Sequence, residues 1–260
     1  MKVNNLTEKR RLFSLRRITH EASHLHKNRY GNIGFVQTSK LIIALLLAFF
    51  ALLSLNIIVI YGYQTGSDLH DNTMLYFDTE SNLPSYYNSF ILLVSSLLLL
   101  AISTLKRSRK DPYALHWLLL AAVFFVLSVD EAVSLHERLI DPLRAMYAFS
   151  GVFRFAWIVP GTAFVLFLGL LYYRFLLHLP RPFLIRFLAA GGIFFMGSVG
   201  MEMPGGYFLE HVEHGRHSLA YMACVTLEES LEMIGVLVFI SALLKYLRTY
   251  FSSIQLTLKD

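Results

Sequence analysis

The 260-residue chain is 55% hydrophobic and only 16% charged, with a mean hydropathy of +0.53, whereas soluble domains carry about 25% charged residues. This excludes an ordinary water-soluble enzyme. A single cysteine, Cys224, excludes an intrachain disulfide and a thiolate metal cluster.

In chain order, residues 1–40 form a basic tail in which Leu12, Leu15, Ile18, Ala22 and Leu25 recur at helical spacing among Arg and Lys. That pattern suits a helix lying on an anionic membrane surface. Six apolar runs follow, at 41–61, 86–105, 115–135, 155–177, 182–203 and 219–244. Each has about 20 residues, enough at 1.5 Å per residue to cross a hydrocarbon layer of about 30 Å. The expected fold is all-α: a polytopic transmembrane helix bundle of six spans, with 41–247 as the membrane domain and 248–260 as a short tail. The first run is too long and too far from the N-terminus for a cleavable signal, so it is expected to remain as an anchor.

Nineteen of the 23 Lys and Arg residues lie in the tail, in the loops after the second and fourth runs, and at the C-terminus. Arg138, Arg144, Arg154 and Arg216 lie on the other side. The positive-inside rule therefore places both termini in the cytoplasm of a cell inner (plasma) membrane, with the opposite face external or periplasmic. Basic residues that serve as topology signals need no nucleic-acid partner, so the +5 net charge implies none.

The acidic residues are distributed the other way: 14 of 18 fall on the external side or in the outer ends of helices. Asp68, Asp71, Asp78 and Glu80, in the loop 62–85, read as solvation. The other ten gather near the outer ends of the third, fifth and sixth runs. The third run closes with Asp130, Glu131, Ser134, His136 and Glu137; on a continued helix Asp130, Ser134 and Glu137 share a face and His136 points elsewhere. The fifth run carries Glu202 next to its last residue, Met203, and Pro204-Gly205-Gly206 is expected to stop the helix there. Glu210, His211, His214 and His217 follow in an external segment. The sixth run opens with Glu228, Glu229 and Glu232 within about 100° of arc. Alternating topology puts these three segments at one depth, and a carboxylate inside a membrane helix is costly unless paired, hydrated or functional.

Carboxylates and imidazoles without thiolates favour a divalent Fe, Mn or Zn ion, and helix bundles build such sites from inward Glu and His. The candidate ligands are Asp130, Glu131, His136, Glu137, Glu202, Glu210, His211, His214, Glu228, Glu229 and Glu232, with Glu131 and Glu229 as candidate catalytic carboxylates. A salt-bridge network with the four external arginines is the structural alternative. Trp117 and Trp157 read as members of an aromatic belt, and Gly191, Gly192, Gly197 and Gly200 as a close-packing surface.

The segments Asp130-Glu131 to His136-Glu137 (DExxxxHE) and Leu227-Glu228-Glu229 to Gly235 (LEExxEMxG) resemble uncharacterised bacterial multi-spanning membrane proteins, a likeness that covers roughly the last 150 residues and implies no activity. A similarity in kind to alkaline-ceramidase-type membrane hydrolases lies in a polar pocket among helices. The chain departs from them in lacking an HxxxH pair and in the dominance of glutamate, so no residues are carried over.

The leading expectation is a metal-dependent membrane enzyme, whose pocket admits a lipid or other amphiphile from the outer leaflet. A zinc form would activate water with a glutamate as general base; a di-iron form would bind oxygen. A proton- or cation-coupled transporter is the second expectation, set against the nearly continuous apolar stretches 118–127 and 236–244. The third is a non-catalytic membrane subunit with a structural ion or charge network.

Overall fold

The computed structural model describes residues 38–251. The proposed surface helix of the tail, and the segment after Phe251, lie outside them. Leu45–Phe251 form one compact unit, which holds every feature below; of the other unit only 38–44, the first turns of the first helix, are described.

Among the described residues, six helices are long and apolar enough to cross a membrane. They are α1 (Thr38–Thr65), α2 (Leu83–Ser108), α3 (Ala114–Val133), α5 (Ile158–His178), a fifth helix at Arg181–His211, and α8 (Leu219–Phe251). The short α4 (Ile140–Met146) lies between α3 and α5. The fifth helix is divided into α6 (Arg181–Phe195), a π-helical stretch (Met196–Met201) and α7 (Glu202–His211). The helix therefore runs through Pro204-Gly205-Gly206, contrary to the expected stop. Pro204 sits in the first turn of α7, where a missing N–H disrupts little.

Local chemistry sets the boundaries. Asn82 caps α2 in a reciprocal box with Ser85, and Pro84 stands in the first turn. The α2–α3 turn is held by Asp111, which accepts from the Tyr113 backbone N–H (2.8 Å) and pairs with Lys106 (2.7 Å).

Bare hydrophobicity does not hold helices together in lipid; small and hydroxyl residues do. Along α2, Ser103 donates to Ala114 O and Ser96 to Ala121 O (both 2.8 Å), while Ser89 and Ser128 each donate to the other's backbone carbonyl. The fifth helix meets α8 through two glycines. A Cβ at Gly197 would stand 2.7 Å from Glu228 O, and one at Gly235 2.8 Å from Phe194 N. Gly191 and Gly192, read from sequence as part of the packing surface, face open space instead.

The half of the bundle at the α2–α3 turn is filled by one apolar cluster that includes Leu99, Ile102, Trp117, Phe175, Phe187, Phe239, Leu243 and Tyr246. Trp117, buried at its centre with its ring edge against Phe175 (5.0 Å), is core rather than belt. The carboxylates occupy the opposite half.

Candidate functional site: an acidic cavity at one end of the bundle

Helix α3 ends two residues earlier than the apolar run suggests. Ser134 takes a left-handed conformation (φ 53°, ψ 51°), its N–H bonded to Asp130 O. Such a turn is unfavourable for a residue other than glycine, and here Ser134 Oγ donates to Glu80 (2.9 Å). The turn reverses His136 onto α3. Asp130 accepts from the His136 backbone N–H through Oδ1 (2.8 Å) and contacts its Nδ1 through Oδ2 (2.9 Å). His136 therefore faces the site, whereas a continued helix would have turned it away.

The His136 ring lies against Trp157 (5.0 Å), and Trp157 Nε1 donates to Glu202 Oε1 (2.8 Å). Trp157 is thus a hydrogen-bond donor to the carboxylate cluster as well as an aromatic surface. From α8 come Glu228, Glu229 and Glu232, and Asn88 Nδ2 of α2 donates to Glu232 Oε2 (3.3 Å).

These groups line a cavity of about 160 Å³. It brings together Asp130, Glu131, His136, Glu137, Glu202, Glu228, Glu229 and Glu232, eight of the eleven candidate ligands. The other three are elsewhere. Glu210 bonds Arg154 (2.8 Å) and the Gly151 N–H (2.6 Å). His211 is exposed and stacked on Tyr207, and His214 is exposed at a left-handed turn. His217 packs on Tyr63. The three-residue histidine repeat does not converge, because α7 ends between its first and second members.

The sequence reading missed two carboxylates, Asp78 and Glu80, which line the cavity rather than serving as solvation. Asp78 accepts from Tyr221 OH and pairs with Arg216 (3.4 Å). Burial raises both acids above the ordinary carboxylate range, and the hydroxyl donors Tyr221 and Ser134 pull the other way. The available signal was the neighbouring Tyr76-Phe77 pair. Both rings are buried, and Asn56 Oδ1 accepts the Phe77 N–H (3.0 Å), which ties the loop down over the bundle.

Nine carboxylates and two cationic residues, His136 and Arg216, line the cavity. Burial opposes charging of His136, but the bonded Asp130 carboxylate outweighs it and raises the imidazole to about 9. Of the arginines on this side of the bundle, Arg216 pairs with Asp78, Arg154 with Glu210, and Arg138 donates to Val133 O. Two carboxylate oxygens, Glu202 Oε2 and Glu229 Oε2, are buried without a hydrogen-bond partner, as is Asn88 Oδ1. Among the described residues, no three His, Cys, Asp or Glu side chains are already arranged around a common metal position.

Six apolar helices with carboxylates drawn between them fit an integral, multi-pass membrane protein. The family described as Domain of unknown function (DUF8692) matches residues 41–247, and the chain belongs to it. No curated protein and no solved structure matches.

Proposed function

We propose that the acidic cavity binds a divalent cation, of the Fe, Mn or Zn class, and that the protein is a metal-dependent membrane enzyme acting on a lipid or other amphiphile. The observation that carries this is the pair of orphaned oxygens, Glu202 Oε2 and Glu229 Oε2, in a cavity where nine carboxylates meet two cationic residues that are both already paired. An unpaired buried carboxylate oxygen is expensive, and a cation relieves that cost at several carboxylates together. Glu131, Glu228 and Glu232, from two helices, would hold the ion, their side chains closing on it as it binds. When present, the ion supplies Lewis acidity toward water or a carbonyl. Glu229, with its free oxygen, accepts the proton released from the nucleophile. Asp130 and His136 hold each other and orient the imidazole beside this group.

The transporter reading is disfavoured by the apolar cluster filling the other half of the bundle, because the serines Ser96 and Ser103 there are spent on α3 carbonyls. The charge-network reading is disfavoured by the engagement of Arg138, Arg154 and Arg216 away from the glutamates of the cavity floor, Glu202, Glu228, Glu229 and Glu232. Both termini are proposed to lie in the cytoplasm of the inner membrane, on the Lys and Arg distribution.

Metal analysis by plasma mass spectrometry of the purified full chain tests the proposal, after incubation with micromolar Fe, Mn and Zn and removal of excess. At least one tightly held ion per chain is expected, lost in Glu229→Gln and Glu232→Gln variants that elute and unfold as the parent does. A parent without bound metal overturns it.

A further inference from the structure

The cavity wall is not uniform. Toward water its rim carries the exposed Glu137 and Arg216. On one side, however, it is lined by Leu127 of α3, Val165 of α5, and Phe194 and Ser198 of the fifth helix. Val165 is 44% exposed, and between 159 and 171 no α5 residue is buried. Along this stretch α5 is only loosely packed on the rest of the bundle. It is anchored at its far end, where Phe175 and Tyr172 are buried and Tyr172 OH donates to His116 O (2.9 Å). Val165 is seven residues into α5 and Leu127 six before the end of α3, so both stand about 10 Å inside their helix ends at 1.5 Å per residue. The thin wall therefore lies at the depth of hydrocarbon tails.

The lining also selects a headgroup. Arg216 and His136 each already face a carboxylate, Asp78 and Asp130, and seven further carboxylates surround them, so the lining repels a phosphate. The groups lacking a partner are acceptors. Glu202, only 7% exposed, gives Oε1 to Trp157 and leaves Oε2 unbonded, as Glu229 leaves its own. A ligand that satisfies them must bring N–H donors and positive charge.

We infer that the cavity is a lateral binding site for a long-chain amphiphile with a cationic amine head, which enters from the hydrocarbon layer between α3 and α5 and places its ammonium among Glu202, Glu229 and their neighbours. This rests on the reading of the cavity as a substrate site and names its substrate class. Two divalent ions would still leave carboxylates in excess, so the preference for a cationic over an anionic head survives metal binding.

The test uses the full chain in phosphatidylcholine nanodiscs, with two photoactivatable probes: a long-chain alkylamine carrying a mid-chain diazirine, and the matching alkyl phosphate. The amine is expected to label peptides of α3, α5 and the fifth helix saturably, in competition with unlabelled hexadecylamine, and at least about tenfold more than the phosphate, equivalent to about 1.4 kcal/mol. Val165→Trp, a change on the lipid-facing surface, and Glu202→Gln, which retains an acceptor for Trp157, should each reduce labelling by a similar factor. Equal labelling by both probes, or amine labelling indifferent to both substitutions, overturns the inference. Metal content measured on the same samples separates the two readings: metal retained without amine selectivity refutes only the lateral site, and amine selectivity without metal refutes only the metal assignment.

Discussion

Asp130 spends both carboxylate oxygens on one residue, His136, and this decides the protonation state of the imidazole that, among the described residues, faces the cavity. Burial favours the neutral ring, but Asp130, with Glu202 and Glu131 further off, outweighs it, so the folded-state value of about 9 lies above the ordinary 6.5. A group raised in this way contributes stability that is fully present below pH about 6.5 and is lost as pH rises through about 9. Nitrogen-15 spectra of labelled imidazole should therefore show His136 titrating near 9 in the parent. In Asp130→Asn the midpoint should fall by more than one unit; a parent midpoint near 6.5 would contradict the paired geometry. The acidic residues themselves were legible in the sequence, because carboxylates inside apolar runs are conspicuous. The position of His136 was not, since it depends on a left-handed turn at Ser134 that Glu80, 54 positions earlier, supports.

At the scale of elements, the contact of the fifth helix with α8 is governed by glycine. Gly197 lies in the π-helical stretch with its Cα against the carbonyl of Glu228, so the same contact that packs the helices sets the height of the α8 glutamates. Gly197→Ala should lower thermal stability in detergent by about 1–3 kcal/mol, the usual cost of overpacking, and should also weaken metal binding. Gly191→Ala, which meets open space, should be neutral or slightly stabilising. Equal behaviour of the two variants in thermal unfolding followed by circular dichroism would refute this account. All six membrane-length helices were legible from hydropathy. Their ends were less so: α7 continues past the Pro-Gly-Gly triplet because the π turn brings Pro204 into a first turn, a register that local propensity does not encode.

For the bundle as a whole, the carboxylates and the apolar cluster occupy opposite halves, and the orientation proposed from the Lys and Arg distribution is open to direct test. In a Cys224→Ser background, a cysteine replacing the exposed Asp68 should react with a membrane-impermeant maleimide in intact cells, and one replacing the exposed Arg107 only after permeabilisation. The reverse pattern would invert the assigned topology. The separation of the glutamates from the apolar cluster was legible, since it follows from where acidic residues fall along the apolar runs. The convergence of the loop acids Asp78 and Glu80 on the cavity was not, because it depends on tertiary bonds to Tyr221, Arg216 and Ser134.

The apolar filling of the far half also has an electrical consequence. Glu228 is the tenth of 33 residues in α8, so a cation held beside it has crossed roughly a third of that helix before meeting a dry barrier. A full crossing is worth about 2.3 kcal/mol per unit charge at 100 mV, so occupancy of the cavity senses well under half of the transmembrane voltage. On the proposed topology, the resting potential would therefore tune a cation in this cavity only weakly, and its loading would follow concentrations on one side of the membrane.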